Sequence, residues 1–242
     1  MFENKEGHRI TKVTIPVRKN DDWQAINTDD LFKGKTVVVF SLPGAFTPTC
    51  SSSHLPRFNE LADTLRDNGV DEIVCVSVND SFVMNAWAER QEADKITMLP
   101  DGNGDLTAQM GMLVDMNQLG FGKRSWRYSM LVKDGVVEKM FIEPQKPGDP
   151  FEVSDADTML DYINPNAKKP EAISLFTKPG CAFCAKAKQL LTDRNLPFEE
   201  IQLGRDASFT SLKAMTGQET VPQVFIGGQR IGGSEELVEY LK

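Results

Sequence analysis

Twice in this chain a short β-branched apolar run leads through a proline-bearing turn into a helix start, and each time a cysteine stands in the first turn. Cys50 follows the run at residues 36–40, and Cys181 follows the run at 172–177. A strand that feeds straight into a helix commits a chain to layered α/β structure. Runs of five or six apolar residues at 36–40 and 73–78 have the length of strands covered on both faces. Between them the spacing predicts a helix over 48–66, with Leu55, Phe58, Leu61, Ala62 and Leu65 on one face. A second helix is expected over 82–89. Residues 129–132 and 136–142 flank Lys133-Asp134-Gly135, the signal of a tight hairpin. The order points to an α/β sandwich with a mixed sheet.

Residues 164–170 break this pattern. Asn164-Pro165-Asn166-Ala167-Lys168-Lys169-Pro170 carries two prolines and no apolar periodicity, and reads as a linker between a domain at 1–163 and another at 171–242. A length of 242 residues suits two ordinary domains. Beyond the linker, strands are expected at 172–177, 198–203 and 223–226. Helices are expected at 182–194, 208–215 and 234–241, the first with Phe183, Ala187, Leu190 and Leu191 along one face. With a turn at Gly227-Gly228, the order β-α-β-α-β-β-α fits a thioredoxin-like domain.

Charge narrows the partners. A net charge of -8 argues against nucleic acid or an anionic membrane surface. No apolar run approaches the roughly 20 residues of a membrane span, and residues 1–9 are polar, without the apolar core of a secretory signal. The expected address is cytoplasmic, where thiols stay reduced. The four cysteines are then reactive, metal-binding or buried rather than a disulfide framework. Cys75, within an apolar run, reads as buried and inert.

Cys50 reads differently. Thr47 is a candidate N-cap and Pro48 suits the first helical position, so Cys50 faces unpaired N–H groups and the positive end of the helix dipole. That setting favours the nucleophilic thiolate. Pro43, Thr47 and Cys50 form a P-x-x-x-T-x-x-C pattern, and the stretch 43–56 closely resembles the mammalian peroxiredoxin-five and plant type II peroxiredoxins, a resemblance covering most of 1–162. It implies that Cys50 attacks peroxide, that Thr47 and Arg127 orient sulfur and peroxide oxygens, and that Pro43 shields the thiolate. His54, four residues after Cys50, raises a Cys–His pairing. The resemblance instead leaves proton handling to water and the Thr/Arg pair, with His54 expected on the helix surface.

Cys181 and Cys184 form a C-x-x-C at a helix start beside Lys178. Zinc would need two more thiolate or imidazole ligands, and 171–242 has no other cysteine and no histidine, so no metal is expected. With Thr220-Val221-Pro222 and Gly232-Gly233-Ser234-Glu235, the pair closely resembles dithiol glutaredoxins. The resemblance implies a cis proline at Pro222 and a glutathione site. Lys178 would hold the glycyl carboxylate, Thr220, Val221 and Pro222 the peptide strand, and Gly233, Ser234 and Glu235 the γ-glutamyl end. Ala182 replaces the usual proline of the C-P-Y/F-C motif, and some relatives without that proline share an iron–sulfur cluster between two domains.

Together the resemblances imply two thioredoxin-like α/β domains in a peroxiredoxin–glutaredoxin fusion. The expected activity is reduction of hydrogen peroxide and small alkyl hydroperoxides through a Cys50 sulfenic acid, recycled by Cys181 and glutathione. Glutathione would be a co-substrate, no cofactor would stay bound, and a homo-oligomer (dimer or tetramer) is expected. Two other readings stay open here: a redox relay in which Cys50 passes oxidation to a partner protein, and an iron–sulfur carrier.

Overall fold

The computed structural model of the chain describes residues 2–19, 22–194 and 196–242. It divides into two compact units, 1–168 and 169–242. The first unit opens with an antiparallel hairpin, β1 (Thr14–Lys19) and β2 (Asp22–Asn27), then α1 (Thr28–Phe32) and β3 (Thr36–Ser41). After β3 come a π-helical turn at Cys50–His54, α2 (Leu55–Glu60), α3 (Ala62–Asp67), β4 (Glu72–Ser77), α4 (Ser81–Arg90) and β5 (Thr97–Pro100). There follow α5 (Asp105–Gln109), the small pair β6 (Leu113–Asp115) and β7 (Lys123–Ser125), then β8 (Tyr128–Lys133), β9 (Val136–Ile142) and α6 (Ala156–Ile163).

Strands run β5-β4-β3-β8-β9 in one mixed sheet, parallel among β3, β4 and β5 and antiparallel through β8 and β9. Both faces are covered, which is why consecutive residues along β3, β4 and β8 are buried rather than alternating. Val38, Phe40, Ile73, Cys75 and Leu131 pack on one side with Leu55, Phe58, Leu65, Trp87 and Met159. Val37, Val39, Val74, Val76 and Met130 pack on the other with Ile15, Val17, Phe32 and Leu106. The expected hairpin joins β8 to β9. Asp134 (φ 46°) and Gly135 (φ 77°) both adopt the positive φ that a tight two-residue hairpin turn requires.

The helix expected over 48–66 is not continuous. Leu55 N–H bonds Cys50 C=O, five residues back, so the turn carrying Cys50 is widened. Pro56 supplies the reason, since it has no N–H and its ring crowds the carbonyl four residues earlier. A second break falls at Leu61, where φ and ψ are -83° and 1°.

The second unit holds β10 (Ile173–Thr177), α7 (Ala182–Asp193), β11 (Glu199–Gln202), α8 (Phe209–Thr216), β12 (Gln223–Ile226), β13 (Gln229–Gly232) and α9 (Ser234–Tyr240). Its sheet runs β11-β10-β12-β13, with only β10 and β11 parallel. The α/β class and both thioredoxin-like units agree with the sequence expectation. Phe183 does not: it is 61% exposed, and the buried stripe of α7 is Cys184, Ala187 and Leu191. The segment 164–170, expected as a linker, is held at its start, where Asn164 Nδ2 donates to Asn68 Oδ1 at 2.7 Å and Ala167 packs against the first core.

Phe58 stacks flat on Phe40, ring centroids 4.1 Å apart, and so ties α2 to the sheet beneath the Cys50 turn. Phe58→Ala should cost the first unit about 3–5 kcal/mol. All three tryptophans lie in that unit, so urea denaturation followed by tryptophan fluorescence reads the loss directly.

Candidate active sites

Cys50 lies at the start of the widened turn and is fully buried. The chain on either side of it is stitched by side chains. Asn79 Oδ1 accepts from Ala45 N–H at 3.0 Å, Thr47 Oγ1 donates to the Gly44 carbonyl at 2.8 Å, and Trp87 Nε1 donates to Ser51 Oγ at 3.0 Å. Pro43 is buried in this loop. Thr47 therefore does not cap the helix with its side chain. Its carbonyl accepts from Ser51 N–H, and its hydroxyl, with the proton directed at Gly44, keeps its lone pairs available as an acceptor.

Arg127, between β7 and β8, is only 1% exposed. One terminal nitrogen, Nη1, lies 3.5 Å from Cys50 Sγ and 3.1 Å from His54 Nδ1, and the other, Nη2, donates to Asp149 Oδ1 at 2.5 Å. Phe151 covers the guanidinium, its ring centre 5.5 Å from Cζ. Nε is buried without a hydrogen-bond partner among the described residues.

His54 is the main correction to the sequence reading. It is fully buried, packed among the rings of Phe40, Phe58 and Phe151. An arginine can only donate, so Nδ1 accepts from Arg127 and the ring proton sits on Nε2, which donates to the Ser154 carbonyl at 3.1 Å. Burial, and then the Arg127 charge, push its pKa down to about 3. A histidine so reluctant to bind a proton cannot serve as a base for Cys50. It serves instead as a neutral prop under Arg127.

The loop from Glu143 to Ser154 brings these partners in, and sequence reasoning missed it. The buried Glu143 carboxylate accepts from the N–H groups of Glu152, Val153 and Ser154 and from Ser154 Oγ, all within 2.9 Å. It closes the loop so that Asp149, Phe151 and the Ser154 carbonyl all meet the Arg127–His54 pair. Gly148-Asp149-Pro150 signals a turn and nothing more. Cys75 faces the Cys50 side of the sheet, and burial pushes its thiol well above the ordinary range, which keeps it protonated and inert.

In the second unit Cys181 is the N-cap of α7, its sulfur accepting from Cys184 N–H at 3.2 Å. The two cysteines form a disulfide, Cys181 partly exposed and Cys184 buried. Val221-Pro222 is a cis peptide, with the Val221 carbonyl 3.8 Å from Cys181 Sγ. Thr220, Val221, Pro222, Gly233, Ser234 and Glu235 line one groove of about 380 Å³ with Phe183 and Arg230. Lys178 lines a separate groove of about 330 Å³ with Cys181, Cys184, Lys188 and Glu200. Glu236 accepts from Gly233 N–H at 2.9 Å, so the donors left for a ligand at this turn begin at Ser234.

Comparison with known proteins now bears on both sites. The redoxin family profile matches residues 5–160 and the glutaredoxin profile residues 173–231. The chain is 64% identical over 239 residues to the hybrid peroxiredoxin hyPrx5 of Haemophilus influenzae, covering 99% of each protein. It is 56% identical over 159 residues to peroxiredoxin sll1621 of Synechocystis, covering 64% of this chain and 84% of that one. Among solved structures, reduced Prx3 of Vibrio vulnificus in complex with hydrogen peroxide aligns with a TM-score of 0.63 at 42% identity, over 66% of this chain and 99% of that one.

The histidine makes a pH prediction. Unfolded, His54 takes up a proton near its ordinary pKa of 6.5, while folded it stays neutral down to about 3. Its contribution is therefore complete above about 6.5 and lost as pH falls toward 3, at up to about 1.4 kcal/mol per pH unit. Urea midpoints from pH 6.5 to 4.5 should fall more steeply for the native chain than for His54→Asn, the difference corresponding to one proton.

Proposed function

Because the chain belongs to the redoxin family, as a peroxiredoxin with a glutaredoxin domain fused behind it, we propose that it is a glutathione-dependent thiol peroxidase with a reductase in the same chain. The observation that carries this reading is the buried contact between the Arg127 guanidinium and Cys50 Sγ. A guanidinium within hydrogen-bond distance of the sulfur can hold the negative charge that develops on the leaving oxygen, and its Nε–H, unpartnered among the described residues, is a donor left over for a peroxide oxygen. A buried donor without a partner costs about 1–3 kcal/mol, a cost that makes sense where substrate supplies the acceptor.

The thiolate of Cys50 attacks the terminal oxygen of hydrogen peroxide or a small alkyl hydroperoxide. An S–O bond forms, the O–O bond breaks, and the leaving oxygen departs as water or alcohol once protonated. Thr47 Oγ1 accepts from the peroxide hydroxyl, Arg127 stabilises the developing oxyanion, and Pro43 excludes bulk water. Cys50 is left as a sulfenic acid. Glutathione condenses with it, releasing water and forming a mixed disulfide. Cys181 attacks the glutathionyl sulfur and frees Cys50. Cys184, or a second glutathione, then resolves Cys181; the former route leaves the Cys181–Cys184 disulfide.

The groove from Thr220 to Glu235 supports glutathione as the reductant, with Lys178 taking the glycyl carboxylate. A cytosolic address fits two free thiols in the first unit. Assembly into a homo-oligomer fits the exposed Phe46, Phe82 and Trp23.

Peroxide consumption should be sustained by glutathione and not by thioredoxin alone. Cys181→Ser should consume about one peroxide per Cys50 and then stop, whereas Cys184→Ser should turn over many times. Full turnover without Cys181 would mean that glutathione recycles Cys50 unaided.

A further inference from the structure

The solvent-facing end of the Arg127 guanidinium is closed by a carboxylate that the peroxidase reading leaves unused. Asp149 Oδ1 holds Nη2 at 2.5 Å, and the two side chains differ sharply in exposure, 43% for Asp149 and 2% for Arg127. The charge that meets solvent at this end of the site is therefore the anion, not the cation.

On its own loop and on the pair it joins, the described residues add no free cation; Arg124, on the Gly44 side of the site, is turned onto the Phe121 and Val78 carbonyls. His54 is neutral, accepting from Arg127 and donating to Ser154. On the same loop Lys146 is paired with Glu152 at 2.8 and 3.0 Å, so it offers no uncompensated positive charge. The Glu143 carboxylate is buried under four donors. The exposed charge held on this guanidinium, whose other terminal nitrogen lies against Cys50 Sγ, is thus a carboxylate.

We infer that Asp149 sets the charge of the peroxide that the first site accepts, admitting uncharged hydroperoxides and disfavouring those that carry a carboxylate. Without Asp149, the freed Nη2 would turn its donors outward, and a guanidinium edge is a strong receptor for carboxylates. Asp149 is thus a specificity-determining residue as well as a positioning one. Its loop is pinned by Glu143 at both ends, so the carboxylate is held on Arg127 rather than drifting in solvent.

The inference rests on the reading of Cys50 as the attacking sulfur. Hydrogen peroxide, consumed by the native chain and not by Cys50→Ser, tests that reading separately. The direct test uses the full chain and two probes of one shape, para-carboxycumene hydroperoxide and its methyl ester. Stopped-flow fluorescence follows single-turnover oxidation of Cys50, with Trp87 bonded to the neighbouring Ser51 as a nearby reporter. The native chain should react at least about tenfold faster with the ester, a ratio in the range one nearby charge can produce. Asp149→Asn should reduce that preference about tenfold, and Asp149→Glu should keep most of it. A merely structural role would slow both probes alike and leave the ratio unmoved. An Asp149→Asn ratio within twofold of native, or a native chain that prefers the acid, would overturn the assignment.

Discussion

A guanidinium buried to 1% exposure is expensive unless each face of it is answered, and much of the first unit can be read as the answer for Arg127. Asp149 compensates its charge, His54 Nδ1 accepts a hydrogen bond from Nη1, Phe151 covers its face, and Cys50 Sγ lies against the same nitrogen. These partners come from elements far apart in sequence, joined only because β8 pairs with β3 and the Glu143 loop folds back over the helix end. Removing Asp149 would take away the carboxylate that compensates this buried guanidinium. The site is thus stabilised by the same contacts that give it its chemistry.

The two units use one device at different exposures. Each sets a cysteine where a strand gives way to a helix; at Cys181 a backbone N–H points at the sulfur, and at Cys50 the donor is Arg127. Cys50 is fully buried with an arginine against its sulfur, as suits a sulfur that reacts first with a small molecule. Cys181 is partly exposed and lines a groove with Lys178 and Cys184, so its sulfur is open to larger partners than Cys50 is. Burial and the arginine at Cys50 separate two sites that share one helix position.

Local pattern made much of this legible. The apolar runs became β3 and β4, Asp134-Gly135 became the hairpin turn, and Cys181 became a helix start because strand, turn and helix signals act over a few residues. The hairpin of β1 and β2 escaped notice because β2 is mostly exposed and carries no apolar face to read. The break in the long helix was visible in Pro56, but the apolar spacing of Leu55, Phe58 and Leu65 outweighed it. His54 and Asp149 were beyond reach for a different reason. Their partner lies 73 and 22 residues away, and nothing in a local window says that a histidine is buried or that an Asp-Pro loop returns to an arginine.

The central claim is that the fork of Arg127, and not merely its positive charge, drives attack by Cys50. Arg127→Lys keeps the charge but replaces a planar set of donors with a single point charge that cannot reach Cys50, His54 and Asp149 together. Pre-steady-state formation of the Cys50 sulfenic acid with hydrogen peroxide measures this step before any reductant acts. A rate at least about tenfold slower, a loss of about 1.4 kcal/mol in transition-state stabilisation, is the expected result. An unchanged rate would contradict the account and leave Arg127 a structural residue.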